Sequence, residues 1–180
     1  MSRQSPGDDG PFLYVVVCAA GIAAEVGELI DAARRRGWET GVIATPVAAG
    51  GGFLDLADIE ARTGRPIRSA WRSPGDPRPF PPPDAVVVAP ATFNTVNKWA
   101  AGLADTLAVA TLCETYGLGV PVAALPCVAD ALAAHPAYQD SLIRLRAMGV
   151  RFGEPYSGDP DEHGHRPRFG WERALDLVER

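Results

Sequence analysis

Apolar residues fall along this chain in two rhythms. Uninterrupted or nearly uninterrupted apolar runs, such as Phe12 to Cys18, Ala85 to Ala89 and Val120 to Leu125, leave no polar face. That is the pattern of strands buried on both sides of a parallel sheet. Between them, apolar positions recur at helical spacing: Ile22, Val26, Leu29 and Ala33 ahead of Arg34 to Arg36, then Tyr138, Leu142, Leu145 and Met148 after His135-Pro136. The pattern predicts strands at 12–18, 39–44, 85–90 and 120–125, with a short one near Val150. It predicts helices at 22–36, 54–62, 96–105, 106–115, 137–148 and 169–180. Gly37 closes the first helix, Asp105 caps the fourth, and Gly117 and Gly119 end it. Strands alternating with helices imply an α/β fold, a doubly wound, Rossmann-like and mostly parallel sheet with helices on both faces. Residues 1–11 lack an apolar core and read as a disordered tail, neither signal peptide nor anchor, with 12–180 as one domain.

The run Ala85 to Ala89 drives into Pro90-Ala91-Thr92-Phe93-Asn94-Thr95, and a helical pattern starts at Val96. Pro90, which has no N–H for the ladder, is expected to stop the strand. The loop beyond a strand's carboxyl end is where a parallel sheet binds ligands, because free backbone N–H groups and a helix N-terminus converge there. Thr92, Asn94 and Thr95 suit that role, and they suit helix capping equally.

Charge narrows the partners. The 180 residues carry a formal net charge of −5, with 47% hydrophobic and 22% charged residues, so neither nucleic acid nor an anionic membrane is an expected partner. Cys18, Cys113 and Cys127 lie in apolar stretches without metal-like spacing, which fits reduced thiols in a cytoplasmic protein. No metal is expected. Glu162-His163-Gly164-His165 offers only two imidazoles in a charged loop, short of a metal site. The prolines between Pro74 and Pro83 forbid a helix and predict a stiff extended approach to the strand at Ala85.

The segment Ala89-Pro90-Ala91-Thr92-Phe93-Asn94-Thr95, with Asn97-Lys98, Ala101-Gly102 and Ala104 to Leu107 after it, resembles the P-A-S-A-N-T segment of the homo-oligomeric flavin-containing cysteine decarboxylases. That family includes phosphopantothenoylcysteine decarboxylase and the peptidyl-cysteine decarboxylases of lantibiotic biosynthesis. A second block, Leu125-Pro126, then His135-Pro136, Gln139, Leu142, Leu145 and Gly149-Val150, is similar to the family's H-P-x-x-Q tail. The likeness covers most of residues 12–152. It implies a flavin mononucleotide (FMN) lying between the subunits of a homotrimer, or of a multiple of trimers, and a small-molecule or peptide substrate. Ala20, Gly21 and Thr45 would meet the phosphate, and Ala91, Thr92, Asn94 and Thr95 the ribityl chain or ring.

Departures from the family pattern matter as much. Its T-G-S-I-A-A turn is Ala19-Ala20-Gly21-Ile22-Ala23-Ala24 here, which keeps the backbone donors and loses the hydroxyls. Counting back from Pro90, the catalytic His position falls on Asp76, with Arg78 as a neighbour. The Asn that contacts the substrate carboxylate becomes Ala129, beside an Asp130 that would repel an anion, and the flanking Met and Trp positions become Val128, Leu132 and Ala133. Cys127 has no basic neighbour in sequence and reads as a structural thiol. His135 reads as a brace for the helix that it opens. The expectation is an FMN-binding flavoprotein with an atypical oxidoreductase or decarboxylase activity; the alternative is a non-catalytic flavin-binding regulatory or interaction protein.

Overall fold

In a computed structural model, residues 10–158 and 167–179 are described. Residues 1–9 of the expected tail and the His163/His165 pair lie outside them. Five parallel strands form one sheet in the order β2-β1-β3-β4-β5: β1 (Phe12–Val17), β2 (Glu39–Ala44), β3 (Ala85–Ala91), β4 (Val122–Pro126) and β5 (Arg151–Phe152). Every residue of β3 and β4 is buried, as their unbroken apolar runs require. The order of the strands reverses between β1 and β3. The carboxyl ends of those two strands therefore splay their loops apart and open a crevice.

Alternate residues along each strand feed two cores. Leu13, Val15, Val17 and Val87 pack with Leu29 and Ile30 of α1 (Gly27–Arg35), Ile59 of α3 (Leu56–Thr63) and Leu175 of α8 (Arg173–Val178). Val16, Val86 and Val88 pack on the opposite face. Their partners there are Val96 and Trp99 of α4 (Phe93–Ala101), Leu112 of α5 (Leu107–Leu118) and Leu145 of α7 (Pro136–Ala147). Each such side chain contributes roughly 1.5–3 kcal/mol when taken from water. The fold is thus a three-layer, Rossmann-like α/β sandwich.

Several boundaries differ from expectation, each for a local reason. Pro90 does not stop β3. The strand runs on to Ala91, because the Cys18 N–H donates to the Pro90 carbonyl (3.3 Å) and the Cys127 N–H to that of Ala91 (2.8 Å). The Ala89–Pro90 peptide is cis, and the β3–β4 register shifts between Val88 and Ala91. The first expected helix is a 3₁₀ turn, Gly21–Glu25, followed by α1. α4 starts at Phe93, three residues early, so Asn94 and Thr95 lie in its first turn. Thr106 and not Asp105 caps α5, its Oγ1 accepting the Val109 N–H at 3.3 Å, while Asp105 pairs with Lys98. Gly117 lies inside α5, and Gly119 alone closes it at φ 66°. Two short helices, α2 (Pro46–Gly50) and α6 (Asp130–Ala133), have no periodicity to announce them, and the closing helix is only Arg173–Val178.

The long connection from α3 to β3 has no helix but is anchored twice. Arg68 joins the sheet edge, its N–H donating to the Val42 carbonyl (3.0 Å) and its carbonyl accepting from Ala44 (2.8 Å). Phe80 is buried against the rings of Phe12 and Tyr14. A Cβ at Gly41 would sit 2.8 Å from the Phe80 ring, so this close approach requires glycine there.

Candidate functional site

A cleft of about 570 Å³ opens at the carboxyl ends of β1, β3 and β4, at the crevice that the strand order creates. Its polar wall begins with the first turn of α4. Thr92 precedes that helix in an extended conformation (φ −95°, ψ 160°) and makes no side-chain cap; its hydroxyl lies 3.3 Å from that of Thr95. The first N–H groups of a helix have no partner within it and, with the helix dipole, favour a negative charge. Asn94 is exposed beside them, whereas Thr95 is buried.

Thr45 enters from the end of β2. Its Oγ1 accepts the Ala48 N–H at 3.3 Å as the N-cap of α2, which occupies a lone pair and leaves the hydroxyl proton for another acceptor. Ala19 and Ala20, between β1 and the 3₁₀ turn, line the cleft with methyl groups. Lys98 brings the cleft's cation, held by Asp105 on the far side of the α4–α5 turn. That partner holds the Asp105 carboxyl below the usual carboxylate range.

The opposite wall is apolar. Cys127, Val128, Ala129 and Leu132 follow β4, and none offers a side-chain amide, hydroxyl or charge. Leu132 (47% exposed) and Val47 (63% exposed) flank the opening. Cys18 is buried beside Thr92 and Thr95; burial pushes its thiol up, and hydrogen bonds from the two threonines oppose the shift. Cys127 is also pushed up, by burial and then by the proximity of Cys18. Both thiols are therefore protonated near neutral pH and poor nucleophiles.

The structure gathers Ala20, Thr45, Thr92, Asn94, Thr95 and Ala129 around one cleft. Gly21 lines a neighbouring cleft that meets the first at Cys127. Ala91 is fully buried at the end of β3 and presents its carbonyl to Cys127. Asp76 lies elsewhere, in an exposed turn where its carboxylate accepts the Ser73 N–H at 2.9 Å, and Arg78 lines a separate cleft. His135 Nδ1 accepts the Ala137 N–H at 3.1 Å and its ring packs edge-on against Phe93, a bracing position. Asn97 turns away from the cleft to accept a 2.8 Å bond from Ser141 on α7. Lys98, part of the segment that carries the resemblance, was not among the expected site residues, although its place one turn after Asn94 and Thr95 puts it on their face of the helix. No cluster of three or more His, Cys, Asp or Glu suited to a metal occurs among the described residues, and no described helix is long and apolar enough to cross a membrane.

Residues 3–164 match the family model described as Flavoprotein. The chain is 32% identical over 157 residues to the coenzyme A biosynthesis bifunctional protein CoaBC of Mycobacterium bovis, an alignment covering 82% of this chain and 35% of that protein. The chain thus spans about a third of that relative's length. Among solved structures, the FMN-dependent cysteine decarboxylase SpaF superposes with a TM-score of 0.69 at 25% identity, covering 96% of this chain and 97% of that one. The cypemycin decarboxylase CypD superposes at 0.72 and 22% identity, covering 98% and 96%, and shares the fold.

Proposed function

The chain belongs to the Flavoprotein family, and we propose that it holds FMN in the cleft at the ends of β1, β3 and β4. One observation carries this reading: Thr45, Thr92, Asn94, Thr95 and the unpartnered first turn of α4 converge on a crevice at the switch point of a flavoprotein sheet. The donor set fits the group. Thr45 and the backbone N–H groups beside Ala20 and Gly21 would hold a phosphate, and Asn94 with the α4 N–H groups would hold the polar chain or ring edge. The volume lies in the range of about 300–1,000 Å³ usual for small-molecule sites. The name of SpaF supplies the precedent of FMN in a chain of this fold.

A bound flavin supplies a two-electron acceptor. The protein's part is to hold it, shield it and orient a substrate over it. In our reading the positions that would do the last of these carry other residues than the family's: Ala129 presents a methyl group to the cleft, and Asp76 lies outside it. The activity we propose is therefore an atypical FMN-dependent oxidation or decarboxylation of a thiol-bearing acid or peptide C-terminus, in a cytoplasmic homo-oligomer. The apolar wall favours a second reading, a flavin-binding protein that acts on no substrate.

Absorbance and fluorescence titration test the common part. The purified chain is expected to be yellow, or to bind FMN in preference to FAD, because Thr45 and the backbone N–H groups beside Ala20 and Gly21 suit a terminal phosphate. Absence of FMN binding overturns the proposal. Loss of the visible flavin band on anaerobic addition of a cysteine-terminated peptide selects the enzyme, and an unchanged band selects the binding protein.

A further inference from the structure

Helix α5 separates two clefts. Thr106 at its cap and Val109 line the strand-end cleft, while Leu107, Thr111 and Glu114 line a second one of about 510 Å³ against the anchored connection that leads to β3. The chemistry differs on the two sides. Where the first offers hydroxyls and an amide, the second gathers the guanidiniums of Arg68, Arg72 and Arg78 around aromatic rings, with Glu114 as its one carboxylate. Such a concentration of positive charge stands out in a chain of net charge −5.

None of the three arginines forms an ion pair with a described carboxylate. Arg68 donates to the Ala70 carbonyl (3.2 Å) and Arg72 to the Asp76 carbonyl (2.8 Å), both neutral acceptors, while the Asp76 carboxylate is turned to the Ser73 N–H. Arg78 lines the same cleft as Tyr14, whose hydroxyl donates to the Pro81 carbonyl at 2.7 Å. The anchors of the connection hold this set in place. Arg68 is paired to the sheet edge through both backbone groups, and Phe80 fixes the far wall, so both ends of the arginine-bearing segment are held. Trp71 lines the cleft with 59% of its surface exposed, a large apolar ring that stacks on no other ring among the described residues.

We propose that this second cleft binds a small organic anion, a carboxylate or phosphate monoester carrying an aromatic or branched apolar group. The arginine forks take the anion in paired, charge-assisted hydrogen bonds, and Trp71 with the Tyr14 and Phe80 wall takes the apolar part. Glu114 opposes the anion and weakens its binding. The site does not depend on a flavin, so it can stand or fall apart from the function proposed above.

Isothermal titration of the full chain with phenyl phosphate, phenylacetate, inorganic phosphate and neutral phenylacetamide tests it, with and without saturating FMN. Phenyl phosphate or phenylacetate is expected to bind saturably in both conditions, more tightly than inorganic phosphate, and phenylacetamide not at all. The stronger of the two organic anions identifies the headgroup. Arg72→Gln with Arg78→Gln should weaken binding at least about tenfold while leaving FMN titration unchanged, and Glu114→Gln should tighten it. Circular dichroism checks that the double variant folds; were it to unfold, the Glu114→Gln response and the loss of aromatic preference in Trp71→Ala decide the matter. Binding that FMN abolishes, that the arginine and Glu114 changes leave alone, or that inorganic phosphate matches overturns the proposal. Failure of FMN to bind would sink the flavin reading and leave these comparisons intact.

Discussion

The two walls of the strand-end cleft differ in chemistry. One wall, from β2, β3 and α4, presents Thr45, Thr92, Asn94, Thr95 and a paired Lys98. The other, from β4 and α6, presents Cys127, Val128, Ala129 and Leu132. The first can hold a polar or anionic group through directed hydrogen bonds, and the second can only exclude water and shape an apolar volume. Holding a cofactor and handling a substrate are therefore separable tasks here, assigned to different strands. Each wall can be altered without moving the other, because β3 and β4 are buried along their whole length and fix both.

The largest expected effect comes from rebuilding the apolar wall. Asp76→His together with Ala129→Asn should raise decarboxylation of a cysteine-terminated peptide about a hundredfold over the unaltered chain, the lower range for a restored proton acceptor. Ala129→Asn alone should improve peptide binding, since position 129 lines the cleft of its own chain. Position 76 lies outside the cleft of its own chain and would serve only that of a neighbouring subunit in the proposed homo-oligomer; Asp76→His alone should do nothing, because no amide then holds the peptide there. Mass spectrometry of the peptide reports the loss of carbon dioxide and two hydrogens. Clear turnover by the unaltered chain would break the comparison, because the apolar wall would then be doing chemistry that its side chains do not offer.

Next in size is damage to the polar wall. Asn94→Ala should weaken FMN about ten- to a hundredfold, the loss of one hydrogen bond worth roughly 1–3 kcal/mol. Ala129→Ser on the facing wall should change it by less than about threefold, within the roughly 0.5 kcal/mol of a neutral surface change. Fluorescence titration compares the two, and equal losses would mean that both walls grip the flavin. Asn97→Ala separates ligand binding from scaffold. It removes the acceptor of the Ser141 bond that ties α4 to α7, so it should lower stability by about 1 kcal/mol in urea unfolding and leave FMN affinity unchanged.

How legible this contrast was in the sequence depends on length and burial. Four of the strands were readable because their runs are buried on both faces, and β2 falls within its expected bounds; β5, two residues long and partly exposed, showed only through Val150 beside it. The first turn of α4 was not, because Pro90 masks the end of β3 and two bonds from flanking strands carry that strand one residue further. α2 and α6 are too short for a period to show. Phe80 sits alone among prolines, so nothing in the pattern marks it as an anchor. Thr92, Asn94 and Thr95 were visible as a polar cluster at a strand end. That Thr92 spends its hydroxyl on Thr95 and makes no cap is a matter of geometry that no spacing rule contains.

The smallest effect reads the floor between the two walls through pH. Burial raises the Cys18 thiol, opposed by Thr95 and Thr92, and raises Cys127, which has no such hydroxyl partner. In the unfolded chain both return to the ordinary value of about 8.5. Below that pH the thiols are protonated in both states and contribute no pH dependence. Above it the unfolded chain releases protons that the folded chain retains, so stability falls as pH rises toward the folded values. Urea unfolding followed from about pH 7 to 9.5 should thus show a loss that begins near 8.5, to which Cys113, also raised by burial, adds; Tyr14 and Tyr138, raised by burial too, add a loss of the same sign only as pH approaches their unfolded value of about 10. Cys18→Ala and Cys127→Ala should each flatten the fall. Thr95→Val should carry the loss to higher pH by removing a bond that lowers the Cys18 value. A slope that neither cysteine substitution alters would mean that the floor is wetter than its burial implies, and that the polar wall draws its order from elsewhere than the threonine pair beside Cys18.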